Sequence, residues 1–344
     1  MDTHKNITQE DINKFILSRP HVFILGAGAS KAAIPYGDRN GINCPLMEGF
    51  IEKAGLKHII SHIPLKTKSN NLEDIYSELH ILGKYKRELK ELEKGIYDYF
   101  RKLVIPYTPI IYDYLLLSLR SKDFIFSFNW DDLIVQAYLR VSTITKDLPK
   151  LYFLHGNVAM GYCDHCSKLY HIADKFCPHC YRKLKLQPLL YPITNKRYDK
   201  DKSISNAWED FLAVLQNCSI LTIFGYGAPP SDSAAIEMMY KAFSQEFRKL
   251  DKIEIIDIKD ERKLIDNWSP FLASANYHIK CYKDFFDSTI GEFPRRTVEG
   301  YCKRNNNWFG TSNIRLKPNL TFEELEKLIL PLLQEEANGN FGII

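Results

Sequence analysis

Two groups of residues in this chain have types and spacings that could do chemistry. The first lies in GYCDHCSKLYHIADKFCPHCYRKL, where Cys163, Cys166, Cys177 and Cys180 form two C-x-x-C pairs with ten residues between them. Each pair can set two thiolates on one face of a tetrahedral Zn²⁺, and Gly161 and Pro178 suit the tight turns this requires. Four sulfurs leave no open coordination position, so the expected zinc is structural. The second group is dispersed. HVFILGAGASKAA, SFNWDD, LHGN, FGYGAPPSD and IEIIDIKD each carry a short apolar stretch into glycines or polar side chains. These endings supply Gly26, Ala27, Gly28 and Ser30, then Asn129 and Asp131, then His155 and Asn157, then Gly225, Gly227 and Ser231, and lastly Asp257.

The dispersed group can meet only if its apolar stretches are strands of one sheet. Residues 21–25, 123–128, 151–154, 219–224 and 253–258 are short, nearly all apolar, and rich in β-branched and aromatic types. That composition predicts strands covered on both faces. Helical patterns fall between them at 130–141, 204–217 and 231–249. The predicted fold is α/β: a Rossmann-like open parallel sheet with helices on both faces, a helical insertion and a small zinc-ribbon insertion. Residues 1–39 open this domain and carry the glycine turn, 40–118 form the helical insertion, and 119–160 continue the domain with its catalytic strand ends. Residues 161–186 are the ribbon, 187–260 complete the domain, and 261–344 are a mixed or helical C-terminal extension that could serve as a partner surface. Within that extension, NLTFEELEKLILPLLQEE opens with a capping pair, Thr321 and Glu324.

Open α/β sheets bind ligands beyond the C-terminal ends of their strands. Gly26 would make a tight turn, Gly28 would let the backbone approach a pyrophosphate, and the amides of the following helix would hold its oxygens. Lys31 stands where a third fingerprint glycine belongs, and a Gly-Ala-Gly turn serves equally well as an ordinary βα loop. No acidic strand end follows ~20 residues later, so Asp257 is the better partner for an adenosine ribose. Asn129 or Ser231 taken singly reads as a helix cap. The convergence of four consecutive strand ends on one edge is what points to a ligand.

The chain has 344 residues, 45% of them hydrophobic, which is enough for one large core with appendages or for two domains. A formal net charge of +4 gives no indication of direct nucleic-acid binding. No apolar run approaches the ~20 residues of a membrane span. The N-terminal MDTHKNITQEDINKF lacks the apolar centre of a signal peptide. The expected location is cytoplasmic, where the eight cysteines are thiols or metal ligands. Cys44, Cys218, Cys281 and Cys302 are scattered and read as small buried apolar side chains. The charge run in NLEDIYSELHILGKYKRELKELEKGIYDYFRKLV reads as a solvated helix face, and the basic RKLKLQPLLYPITNKRYDKDK as a solvated loop.

The order GAGAS, FNWD, HG, four-cysteine ribbon, G-x-G-x-P-x-S turn and acidic strand resembles the sirtuin family of NAD-consuming enzymes over roughly residues 21 to 260. The resemblance implies that Gly26, Ala27, Gly28 and Ser30 hold the pyrophosphate of NAD. It places Asn129 at the nicotinamide ribose, Asp131 at the nicotinamide amide, and His155 as general base. It sets Gly225 and Ser231 at the ribose and phosphates, and Asp257 near the adenosine. Asn129 and His155 are then the catalytic pair, expected to line a cleft outside the packed core. There are departures. Phe128 replaces the family's glutamine, AIPYGDR replaces its Gly-Ile-Pro-Asp-Phe-Arg run, and LQPLLYPITNKRYDKDKSISNAWEDF stands where a Phe-Gly-Glu segment grips an acyl-lysine peptide. In losing that segment the chain resembles bacterial sirtuin-like NAD hydrolases of anti-phage defence. This implies cleavage of NAD to nicotinamide and ADP-ribose, linear or cyclic, in a homo-oligomer or with a second protein subunit that gates the site. The alternatives are an NAD-dependent protein deacylase or ADP-ribosyltransferase, and a non-enzymatic NAD- or ADP-ribose-sensing subunit.

Overall fold

The structure, a computed structural model, describes residues 8–193, 196–243, 252–272, 278–305 and 314–342. Its strands are β1 (His21–Leu25), β2 (Phe124–Ser127), β3 (Lys150–Phe153), β4 (Met160–Cys163), β5 (Lys168–His171), β6 (Lys185–Leu186), β7 (Ile220–Phe224), β8 (Lys252–Ile256) and β9 (His278–Tyr282). Six of them form one sheet in the order β3-β2-β1-β7-β8-β9, and every ladder in it is parallel. The five sequence-predicted strands are all present. All five residues of β1 and of β7 are buried, as strands covered on both faces must be.

Successive side chains of β1 point to opposite faces and enter different cores. Phe23 and Leu25 pack with Leu115, Ile125 and Leu133 under the helices Ile111–Leu117 and Leu133–Val141. Val22 and Ile24 pack with Phe126, Phe211, Met239 and Trp268 under the helices Lys202–Asn217, Ser233–Phe243 and Glu261–Leu272. The remainder of the helix expected over 231–249 lies outside the described residues. Between β1 and β7 the strand order reverses: the chain builds outward through β2 and β3, then returns to build the other half. That reversal is the topological switch point, where the connections after β1 and β7 leave toward opposite faces of the sheet and a ligand crevice forms between their turns.

The two insertions take the expected forms. Residues 40–118 hold five helices, of which Leu72–Leu82 and Lys86–Arg101 are the long pair. Gly83, at φ +66°, ends the first by donating its N–H to the Leu79 carbonyl, an αL cap that separates them. The ribbon is a three-stranded antiparallel sheet in the order β5-β4-β6.

One feature differs from the sequence reading. The C-terminal segment 261–344 is more than an extension, because β9 lies within it and forms the edge of the main sheet beside β8. Its strand HIKCY alternates polar and apolar residues, as an edge strand does, so it lacks the apolar run that marks the others. The segment is also anchored by a fully buried arginine. Arg295 donates to Asp147 Oδ2 at 2.6 Å, to Glu336 Oε2 at 2.7 Å and to the Leu119 carbonyl at 3.1 Å. This joins the last helix, Phe322–Ala337, to the loops that lead into β2 and β3. That helix is capped as predicted: Thr321 Oγ1 accepts from the Glu324 N–H, and the Glu324 carboxylate accepts from the Thr321 N–H. Removing the guanidinium strands Glu336 without its partner, so Arg295→Ala should lower unfolding stability by about 3–5 kcal/mol. The measurement is the urea midpoint, and an unchanged midpoint would show that the C-terminal segment is held otherwise.

Candidate functional site

The glycine turn is shaped by contact with the turn across the switch point. Gly26 caps the helix Ala27–Ala33. A Cβ on Gly26 would lie 2.5 Å from Tyr226 Cα, and one on Gly28 would lie 2.8 Å from Gly225 Cα. Gly225 itself has φ +62°. The Gly28 N–H donates to the Gly225 carbonyl at 2.8 Å, which ties the two turns together. The helix packs through Ala29, Ser30 and Ala33, whereas Lys31 is exposed. A lysine is tolerated at the third-glycine position because that side chain points away from the sheet.

Ser30 is the hub of a buried network. It has a single O–H, and the Asp131 Oδ2 accepts it at 2.7 Å. Tyr112 must therefore donate its hydroxyl to Ser30 Oγ, at 2.8 Å. Asn129 gives its two amide hydrogens to the Gly26 carbonyl at 2.9 Å and to Ser30 Oγ at 2.8 Å. Its Oδ1 has no hydrogen-bond partner among the described residues. Asp131 also accepts from the Leu133 N–H at 3.2 Å, two residues on at the start of the next helix. Burial pushes the Asp131 carboxyl above its ordinary range. The thiol of Cys44 lies 3.9 Å from Asp131 Oδ2, so this cysteine does more than fill space.

His155 belongs to a second cluster on the same edge. Its Nε2 lies 3.7 Å from Asp232 Oδ1 and 3.5 Å from the Tyr198 hydroxyl. Phe128 meets its ring edge-on at 4.7 Å and stacks on Tyr226 at 4.1 Å. Tyr226 donates to Asp232 Oδ2 at 2.7 Å, and Lys196 pairs with Asp232 Oδ1. Burial pushes the His155 imidazole down to about 4; Lys196 adds to this and Asp232 opposes it. Burial alone would raise Asp232, but the positive charge of His155 and Lys196 outweighs it and holds the carboxyl below its ordinary value. With His155 neutral near pH 7, Lys196 supplies that charge.

The structure brings Gly26, Gly28, Ser30, Asn129, Asp131 and Gly225 together, with His155 adjacent through Phe128. Ala27 lies in the same turn, partly exposed. Ser231 is directed elsewhere: its hydroxyl donates to Glu73 Oε2 at 2.9 Å, on the helix Leu72–Leu82. Asp257 follows β8 and caps its own turn by accepting the Lys259 N–H at 2.9 Å. It makes no hydrogen bond to the other site residues. Asn129 and His155 do not lie in an open cleft. They are 7% and 6% exposed: Tyr112 lies against Asn129, and Phe128 and Tyr198 lie against His155. The basic stretch is not wholly a solvated loop either, since Lys196 and Tyr198 turn inward against His155 and Asp232. Residues 194 and 195 of that stretch lie outside the described residues. Sequence reasoning missed Tyr112, Lys196, Tyr198 and Asp232. Only Asp232 had a visible signal, as an acid directly after Ser231 in a strand-end turn.

The four ribbon cysteines have the geometry of a zinc site. Their sulfurs all lie within 4.8 Å of one another. Cys163 to Cys180 is 3.5 Å and Cys166 to Cys177 is 3.7 Å. Zn–S bonds of ~2.3 Å at tetrahedral angles give sulfur separations of about 3.8 Å. The set therefore fits a Zn²⁺ bound only by the protein.

No family model and no curated protein matches the sequence. Solved structures of Sir2 proteins are similar to this chain. A Sir2–p53 peptide–NAD+ complex is 17% identical, aligned over 86% of this chain and 99% of that one, with a TM-score of 0.40. A complex of a Sir2 homologue with NAD is 13% identical over 88% and 96%, also at 0.40. A variant Sir2 homologue bound to ADP-ribose is 14% identical over 86% and 98%, at 0.42. At these identities and scores no residue role is carried across from them.

The zinc assignment predicts about one equivalent of metal in undamaged protein, released on replacing Cys163 or Cys177 by serine. Elemental analysis checks this, and a content below about half an equivalent would contradict it.

Proposed function

We propose that this chain is a sirtuin-like NAD hydrolase, cleaving the nicotinamide–ribose bond to give nicotinamide and ADP-ribose, linear or cyclic. The observation that carries the reading is the meeting of Ser30, Asn129 and Asp131 at the switch point, beside glycines that have no room for a side chain. Pyrophosphates bind over such turns because the backbone can approach them closely. In this reading the Gly26–Gly28 turn, with Ala27 and Ser30, takes the pyrophosphate, and Gly225 and the loop bearing Ser231 take the ribose and phosphates. Asp257 takes the adenosine ribose and Asp131 the nicotinamide end.

Breaking the bond to nicotinamide builds positive charge on the sugar. The reaction needs a positioned water and a base more than a protein nucleophile. Asn129 is suited to positioning, because both its amide hydrogens are committed to the protein. That fixes the side chain and leaves Oδ1 to accept from a water or a ribose hydroxyl. His155 is suited to act as the base, since burial keeps the imidazole neutral and able to take a proton. Asp232 beside it can stabilise the imidazolium that forms. Hydrolysis is favoured over acyl transfer because the Phe-Gly-Glu segment that would grip an acyl-lysine peptide is replaced by LQPLLYPITNKRYDKDKSISNAWEDF, whose Tyr198 packs against His155. A defence effector gated by a partner or by assembly is the finer reading. It is supported by the motif resemblance and by the Gly28–Gly225 hydrogen bond, which must open for a pyrophosphate to enter.

The test is product analysis after incubation with NAD, with and without an acyl-lysine peptide, in the assembled or partner-bound state if the chain alone is silent. Asn129→Ala and His155→Ala should each lose a factor on the order of 10² or more in turnover. The acid limb of kcat/KM should fall near the depressed value of about 4, not near 6.5, because the base works only while neutral. Near-wild-type turnover in both variants places the chemistry elsewhere, and NAD consumption that requires the peptide makes the protein a deacylase.

A further inference from the structure

A separate cleft of about 730 Å³ lies between the helix Ala27–Ala33, the loop after it, and the helices Phe50–Lys53 and Lys86–Arg101. Its size is that of a small-molecule site, typically about 300–1,000 Å³. None of the residues assigned above to NAD lines it. Three lysines do: Lys31, Lys53 and Lys102, against one carboxylate, Glu48. None of the three makes an ion pair among the described residues, whereas Lys14, Lys185 and Lys241 each do. Scattered exposed lysines need no partner. Three that converge on one concavity repel one another and hold a positive potential there. The rest of the lining is largely apolar, with Ile34, Pro45 and Leu46 among it. The Tyr99 hydroxyl donates to the Asn43 carbonyl at 2.8 Å and fixes one wall.

We propose that this cleft is a second ligand site, for a small molecule of nucleotide size carrying a phosphate or pyrophosphate. Three lysines against one glutamate leave two positive charges for the anionic group, and the apolar wall takes the uncharged part. The site is built to act on the first one. Lys31 follows Ser30 on the same short helix, and Cys44 on the cleft floor, 5% exposed, touches Asp131. A ligand seated on Lys31 and Cys44 bears on the Ser30–Asp131–Asn129 network and so acts as an effector of the hydrolase. That consequence rests on the proposed function; the binding itself does not.

The experiment is calorimetric titration of the intact protein with two probes, AMP and inorganic pyrophosphate, with no turnover readout. The wild type should show a binding component that weakens at least about tenfold in Lys53→Glu/Lys102→Glu, as expected for losing two charge-assisted contacts. Both side chains are exposed, and Lys31→Gln/Lys102→Gln serves as the milder variant if the charge reversal disturbs folding. No binding of either probe at millimolar concentration would overturn the proposal, as would lysine variants that bind like the wild type. A protein that binds the probes through these lysines but never consumes NAD would sink the hydrolase reading and leave this site standing.

Discussion

The site depends on one steric constraint: the turns after β1 and β7 are pressed together backbone to backbone. The two strands pair in register, Leu25 opposite Phe224, so their turns leave the sheet at the same level and must share one volume. A Cβ on Gly225 would sit 2.2 Å from the Ala29 amide nitrogen. Only glycines on both sides allow this approach. From it follow the position of the helix Ala27–Ala33, the placement of Ser30 above Asn129, and the hydrogen bond that closes the crevice from Gly28 to Gly225. In the function proposed above, that amide belongs to the turn that takes the pyrophosphate, so binding there requires the bond to open.

Around this contact the chain buries polar groups that stability alone does not call for. Ser30, Tyr112, Asn129 and Asp131 form a network in which the Ser30 hydroxyl and both Asn129 amide hydrogens are committed, which holds these side chains in one arrangement and leaves Asn129 Oδ1 as the open acceptor. The Lys196–Asp232 pair lies beside His155, where an apolar pair of equal volume would cost less desolvation. Such groups are informative because their surroundings shift them: burial keeps the His155 imidazole neutral, and its partner lysine keeps Asp232 ionised against its own burial. Perturbed groups of this kind concentrate where chemistry is done.

Much of this was legible in the sequence, and the reason is physical. Strands buried on both faces must be nearly all apolar, so HVFIL and SILTIF stand out, and the turn at the end of each is at the ligand edge by topology. The four cysteines declare their geometry through spacing alone. β9 was not legible because HIKCY is an edge strand with mixed polarity. Lys196 and Tyr198 were not legible because a lysine that folds inward onto an aspartate reads the same as one in water until its partner's position is known. Tyr112 was hidden in a helical apolar stripe, where a hydroxyl aimed at Ser30 has no local signature. The depth of Asn129 and His155 was missed for the same reason, since the residues that cover them come from distant segments.

The measurement that tests the central claim most directly is a crystal structure of the Asn129→Ala protein with NAD. The account predicts that the nucleotide spans the switch point, with its pyrophosphate over Gly26–Gly28, the Gly28–Gly225 hydrogen bond broken, and the nicotinamide ribose between residue 129 and His155. A nucleotide bound elsewhere, or one bound with that hydrogen bond intact, would contradict it.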